Sequence, residues 1–213
     1  MTHAATRLAL VRAEIARAAA LARRSPADIT LIAVSKRRPV EEIEALIAAG
    51  QRDFGESRVQ EAQDKWPALR AAHPHVRLHM IGQLQSNKAA EAAALFDVIH
   101  SLDRPSLLRA LAAAPVHKPC FVQVNVGGED QKGGVALSDL TTFLAKVRAT
   151  PVPLAGLMAI PPQGLEPGPF FALLSELARR HDVTGLSMGM SSDYAAAVTL
   201  AATAVRVGTA LFE

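Results

Sequence analysis

The chain has 213 residues, half of them hydrophobic, with 23 Lys and Arg against 20 Asp and Glu for a formal charge of +3. That length and composition can bury a sizeable core as one large domain or two small ones, and they exclude a disordered chain. Basic residues scattered among acids argue against nucleic acid, no stretch approaches a membrane span, and a single cysteine excludes an internal disulfide, so a cytoplasmic protein is expected.

Leu8, Val11, Ile15 and Leu21 mark an opening helix that stops before Ser25-Pro26. Thr30–Val34 is short, apolar and partly β-branched, the pattern of a buried strand. A helix follows Pro39, with Val40, Ile43, Leu46 and Ile47 on one face and Gly50 past its end. Further strands are expected at 53–54, 77–81, 98–100, 120–126, 154–158, 184–187 and 204–207. Helical stretches at 59–69, 88–96, 104–113, 137–148, 170–180 and 194–202 separate them.

Eight strands, each reached through a helix, imply an α/β fold with a parallel sheet. In just over 200 residues this matches a single (β/α)8 TIM barrel spanning 1–213, with an extra N-terminal helix. The chain ends soon after strand eight, and the opening helix would cover the place of the missing last helix. An open doubly wound sheet is the alternative. The Pro- and Gly-rich segment 161–169 reads as a loop on the functional face.

Active groups of such a barrel come from the carboxyl ends of its strands. Lys36 directly ends strand one. At a barrel mouth its ammonium would be partly desolvated, and a lysine in that condition attacks carbonyls to form a Schiff base. Ser187-Met188-Gly189-Met190-Ser191 and Val207-Gly208-Thr209-Ala210 place glycines and hydroxyls just past strands seven and eight, where phosphate sites recur in this architecture. A lysine facing a phosphate cradle points to a phosphorylated aldehyde, and pyridoxal 5′-phosphate (PLP) and a sugar phosphate both qualify. Arg206, on strand eight, would keep a facing pyridine nitrogen unprotonated, making the ring a poor electron sink. His73, His75 and His79 lie close in sequence, but without an accompanying cysteine or acid motif they are not read as a metal site.

Six collinear segments resemble the PLP homeostasis protein family. They are Ala33-Val34-Ser35-Lys36, Phe54–Glu61 (FGESRVQE), His79–Lys88 (HMIGQLQSNK), Gly156–Pro161 (GLMAIP), Leu186–Asp193 (LSMGMSSD) and Arg206–Phe212 (RVGTALF). The resemblance implies a PLP-bound barrel like the N-terminal domain of alanine racemase. It implies a Schiff base on Lys36, phosphate contacts from Ser187, Gly189, Gly208 and Thr209, Arg206 at the pyridine nitrogen, and Asn87 and Met158 lining the pocket. Ser57 stands where the family usually has asparagine, and Arg38 where a lysine is common. Lys132 matches a family lysine and is a candidate second attachment site. The expected role is a monomeric PLP carrier or regulator in vitamin B6 and amino-acid homeostasis, passing PLP to apo-enzymes without appreciable turnover. The alternatives are a racemase-like PLP enzyme acting on small amino acids and a Schiff-base aldolase acting on a sugar phosphate. Tyr194 is the only tyrosine, and a racemase needs a second base facing the cofactor from the opposite side.

Overall fold

The computed structural model describes residues 2–129, 131 and 133–213. The strands are β1 (Thr30–Val34), β2 (Asp53–Glu56), β3 (Arg77–Met80), β4 (Val98–Leu102), β5 (Cys120–Gln123), β6 (Leu154–Met158), β7 (Leu186–Ser187) and β8 (Ala204–Val207). The helices are α1 (His3–Leu21), α2 (Val40–Ala48), α3 (Val59–Ala72), α4 (Ala89–Leu95), α5 (Pro105–Ala112), α6 (Leu140–Arg148), α7 (Gly168–Arg180), α8 (Tyr194–Thr199) and α9 (Thr209–Phe212).

All eight strands pair in parallel, each with its sequence neighbour, and the sheet closes through β1 and β8 in the register Ile32↔Arg206 and Ala33↔Val207. The fold is a (β/α)8 barrel, and closure removes the open-sheet alternative. Strands covered on both faces need apolar residues on both, which is why β1 and β5 read as continuous hydrophobic runs. The pleat sends alternate residues inward and outward. In β2, Phe54 turns out to pack against Trp66 of α3, ring centroids 5.3 Å apart, while Asp53 and Gly55 turn in.

Two expectations are corrected. The strand expected at 120–126 stops at Gln123 because the next segment folds back on it: the Val135 amide donates to the Gln123 carbonyl, and Asn125 to Val135. The helix thought missing after β8 is present as the single turn α9. As anticipated, α1 fills the outer position there, packing on α2, α8 and α9 and burying Leu8, Val11, Ile15, Ala18 and Ala19. Arg7 of α1 ties the two ends together by donating to the carbonyls of Phe212 (2.9 Å) and Glu213 (2.7 Å). Among the described residues no helix is long and apolar enough to cross a membrane.

Candidate functional site

The turn that carries Lys36 is held from below. The Ser35 hydroxyl donates to Glu56 Oε1 (2.8 Å), and the Ser35 carbonyl accepts from Arg38 N and from Lys65 Nζ, both at 3.1 Å. The Arg37 amide donates to Glu61 (2.5 Å), and Arg37 adopts a φ of +60°, a left-handed conformation unfavourable for a bulky residue. Beneath this turn Glu56 is fully buried, with Oε1 accepting from Trp66 Nε1 (3.0 Å) and paired with Lys65 Nζ (2.9 Å). Glu61 also pairs with Lys65. Its carboxyl sits below the ordinary value, since partial burial pushes it up but the hydrogen bonds from Lys65 and the Arg37 amide outweigh that. Lys36 itself is exposed, not desolvated as expected from its position, and it makes no hydrogen bond or ion pair among the described residues. A scaffold of bonded groups thus presents one free amine.

That amine borders a cavity of about 970 Å³ at the carboxyl ends of the strands. Val34, Ile81 and Ile160 give it apolar wall; Ser57, Gln83, Gln123, Asn125 and Gln131 give it polar wall. Gly82 lets two segments touch, because a Cβ there would lie 2.2 Å from the Ser57 carbonyl oxygen. The same cavity is lined by Met190, Ser191 and Ser192 of the β7–α8 loop and by Gly208, Thr209 and Ala210 at the start of α9. Ser191 Oγ accepts from the Gly208 amide (3.1 Å), joining the two loops. Among the described residues, the amides of Ser191, Ser192, Thr209 and Ala210 have no acceptor, and neither do the Ser192 and Thr209 hydroxyls. Several unmet donors converging on one cavity suit an oxyanion such as phosphate.

Arg206 lines the same cavity yet is only 4% exposed. Its guanidinium donates to Ser187 Oγ (2.5 Å) and to the Ala159 carbonyl (3.0 Å). Burial brings its pKa down to about 10, which leaves it charged near neutral pH. From Ser187 the hydrogen bonds continue inward through the barrel: His100 Nδ1 (2.8 Å), His79 Nδ1 from His100 Nε2 (3.0 Å), and Asp53 Oδ1 from His79 Nε2 (2.9 Å). Burial, then the neighbouring His79 and Arg206, hold the His100 imidazole well below its usual value. His79, set beside His73 and His75 in sequence, therefore belongs with His100 and Asp53.

Of the residues singled out from sequence, Lys36, Arg206, Gly208 and Thr209 meet at the cavity. Asn87, Met158, Ser187 and Gly189 do not line it. Asn87 sits exposed on the 3-10 turn Ser86–Lys88, and Met158 is 1% exposed inside the barrel. Ser187 is fully buried one layer down, engaged by His100 and Arg206. Gly189 shapes the loop: its φ is +93°, and a Cβ there would lie 2.6 Å from that of Ala197. The donors that reach the cavity come one to three residues later, from Ser191 and Ser192, and from Ala210 beyond Thr209. Reading LSMGMSS as a strand followed by a tight glycine turn would have pointed to its serines. Lys132 lies outside the described residues.

The family model of the alanine racemase N-terminal domain matches residues 8–213. The chain is 42% identical to the pyridoxal phosphate homeostasis protein of Pseudomonas aeruginosa, over 100% of this chain and 96% of that one. It is 38% identical to the protein of the same name from Escherichia coli K12, over 100% and 97%. PipY of Synechococcus elongatus, solved with PLP bound, superposes with a TM-score of 0.84 at 38% identity, covering 99% of this chain and 100% of PipY. Alanine racemase from Corynebacterium glutamicum shares the fold, with a TM-score of 0.67 at 17% identity, covering 94% of this chain and 59% of the racemase.

Proposed function

This chain belongs to the pyridoxal phosphate homeostasis protein family, and from that premise we propose that it holds PLP in the cavity at the strand ends, attached through Lys36. The observation that carries the reading is that a lysine amine and a set of N–H and O–H donors, all without partners among the described residues, line one cavity. PipY, solved with PLP, supports the choice of PLP over a sugar phosphate.

PLP supplies an aldehyde, with which an amine condenses to a Schiff base as water leaves. The protein's part is placement. The Ser35–Glu56–Lys65 scaffold fixes where Lys36 stands, and the amides of Ser191, Ser192, Thr209 and Ala210 receive the phosphate. Arg206 presents a donor to the ring nitrogen and so keeps it unprotonated. Ser57, Gln83 and Asn125 would border the ring.

The protein acts as a carrier or regulator in vitamin B6 and amino-acid homeostasis, giving up PLP to apo-enzymes as one cytoplasmic barrel domain and as a monomer. It turns over no amino acid appreciably. Among the described residues lining the cavity, Lys36 and Arg206 carry the only ionisable side chains, and no carboxylate, histidine or tyrosine stands opposite the lysine to move a Cα proton. The test is chiral analysis of alanine and serine incubated with PLP-saturated protein, alongside Cα exchange in deuterated water. Exchange no faster than with free PLP is expected. Saturable turnover lost in Lys36→Ala would make the protein a racemase.

A further inference from the structure

Five polar side chains inside the barrel form a line of hydrogen bonds whose direction is set at both ends. At one end Arg206 is donor-only. At the other, Asp53 Oδ1 is the hydrogen-bond partner of His79 Nε2 (2.9 Å) and the ion-pair partner of the Arg77 guanidinium (2.7 Å), which favours the ionised, acceptor-only carboxylate. Between these ends one tautomer satisfies every contact with neutral imidazoles. His79 donates from Nε2 to Asp53 and accepts at Nδ1, and His100 donates from Nε2 to His79 and accepts at Nδ1. Ser187 then donates its hydroxyl proton to His100 and accepts from Arg206. Reversing the line would require Asp53 to become a donor. It would also make the Ser187 oxygen accept from both His100 and Arg206, leaving its own buried proton with no acceptor between these two partners. His79, His100, Ser187 and Arg206 are each at most 4% exposed, so water offers little alternative. The stacked ring of Phe121, 4.5 Å from that of His100 and inclined by 15°, restrains the central imidazole.

We propose that Asp53, His79, His100 and Ser187 act together as a one-way positioning relay that fixes the donor orientation of the Arg206 guanidinium at the cavity, so that a carboxylate at the far end of the barrel helps set how strongly the cavity holds its ligand. The ligand half of this statement rests on the PLP reading above; the internal half does not. Ser187 is the pivot. Its single oxygen accepts a hydrogen bond from Arg206 while its own proton is committed to His100, and the guanidinium is held by Ser187 and the Ala159 carbonyl together. A serine left without the imidazole could rotate its hydroxyl, and Arg206 would lose that restraint.

The first measurement needs no ligand. Long-range proton–nitrogen correlation spectra of nitrogen-15-labelled protein, at neutral pH, report which ring nitrogen of each histidine carries the proton. Wild type should show His79 and His100 both neutral and both protonated on Nε2. Asp53→Leu should disturb the His79 nitrogens and carry the change to His100, whereas Asp53→Asn, which retains an oxygen between His79 and Arg77, should leave the pattern near wild type. The second measurement is PLP titration with a visible spectrum. Asp53→Leu should weaken PLP roughly tenfold, the scale of one hydrogen bond to a charged group, and shift the absorption band; Asp53→Asn should restore both. A wild-type Nδ1–H tautomer, an imidazolium at either ring, or His100 resonances unmoved by Asp53→Leu would overturn the relay, and the wild-type spectrum decides this even should a variant not fold. A relay confirmed by nitrogen shifts, with PLP affinity and band equal in all three proteins, would overturn its role toward the ligand. Failure of wild type to bind PLP at all would instead sink the PLP reading.

Discussion

At the mouth of the barrel an exposed lysine and four amides lack partners among the described residues; one layer down, Asp53, His79, His100, Ser187 and Arg206 are joined in an unbroken line. The two layers handle polar groups in opposite ways for a physical reason. Inside, an unpaired polar group costs about 1–3 kcal/mol, so histidines and arginine are tolerated only as a satisfied set. At the mouth water can serve the free donors, and they remain available to a ligand that replaces it. Arg206 stands at the junction, bonded from within and bordering the cavity.

The sharpest way to break this comparison is to remove the ligand group that the free donors would receive. Pyridoxal lacks the phosphate, and charge-assisted hydrogen bonds are worth about 1.5–3 kcal/mol each, so its affinity should fall by at least about 100-fold relative to PLP. Equilibrium titration of both compounds checks this, and inorganic phosphate should compete with PLP. Equal affinities would make Ser191, Ser192, Thr209 and Ala210 ordinary turn residues.

A second experiment attacks the scaffold beneath the mouth. Lys65→Ala would leave Glu56 buried with its charge uncompensated and one oxygen, Oε2, already lacking a partner among the described residues. Breaking a buried pair on one side costs about 3–5 kcal/mol, or about 6–20 °C in Tm for a chain of this size. Differential scanning calorimetry measures it. A loss below about 1 kcal/mol would place this pair among surface ion pairs, which contribute little.

A smaller effect sharpens the description of the interior. His100 has a depressed pKa in the fold and an ordinary value of 6.5 when unfolded. Above 6.5 both states are neutral and its contribution is complete. Below 6.5 the unfolded chain takes up a proton that the folded one refuses, so stability falls by about 1.4 kcal/mol per pH unit until the folded pKa is reached. Denaturant unfolding between pH 7 and pH 5 should show this slope, reduced in His100→Phe. An unchanged slope in that variant would mean that His100 is not held neutral.

The sequence carried the barrel better than the site, and the reason lies in what each depends on. The bounds of β1, β6 and β8 follow from short, largely apolar runs between turn residues, a local signal. β7 is only two residues long, and the apolar pattern at 184–187 does not reveal that pairing begins at Leu186. Lys36, Gly208 and Thr209 follow strand ends and Arg206 lies on β8, so a rule about strand ends reached them. The same rule does not give depth: Ser187 is the last residue of β7 but points into the barrel. His100 and Ser187 are 87 positions apart and meet only because the sheet closes, so no spacing in the chain announces their contact. The resemblance to a known family could name Lys36; it could not distinguish a serine that faces the cavity from one that holds an arginine.

The claim that this cavity exists to hold PLP on one lysine is tested most directly by borohydride reduction of the PLP-loaded protein followed by peptide mapping. The expected result is one phosphopyridoxyl group per chain, on Lys36, with no label in Lys36→Ala although that variant unfolds within about 0.5 kcal/mol of wild type, as befits an exposed residue without partners among the described residues. Label on another lysine, Lys132 included, in preference to Lys36, or no label after incubation with excess PLP, would contradict the account.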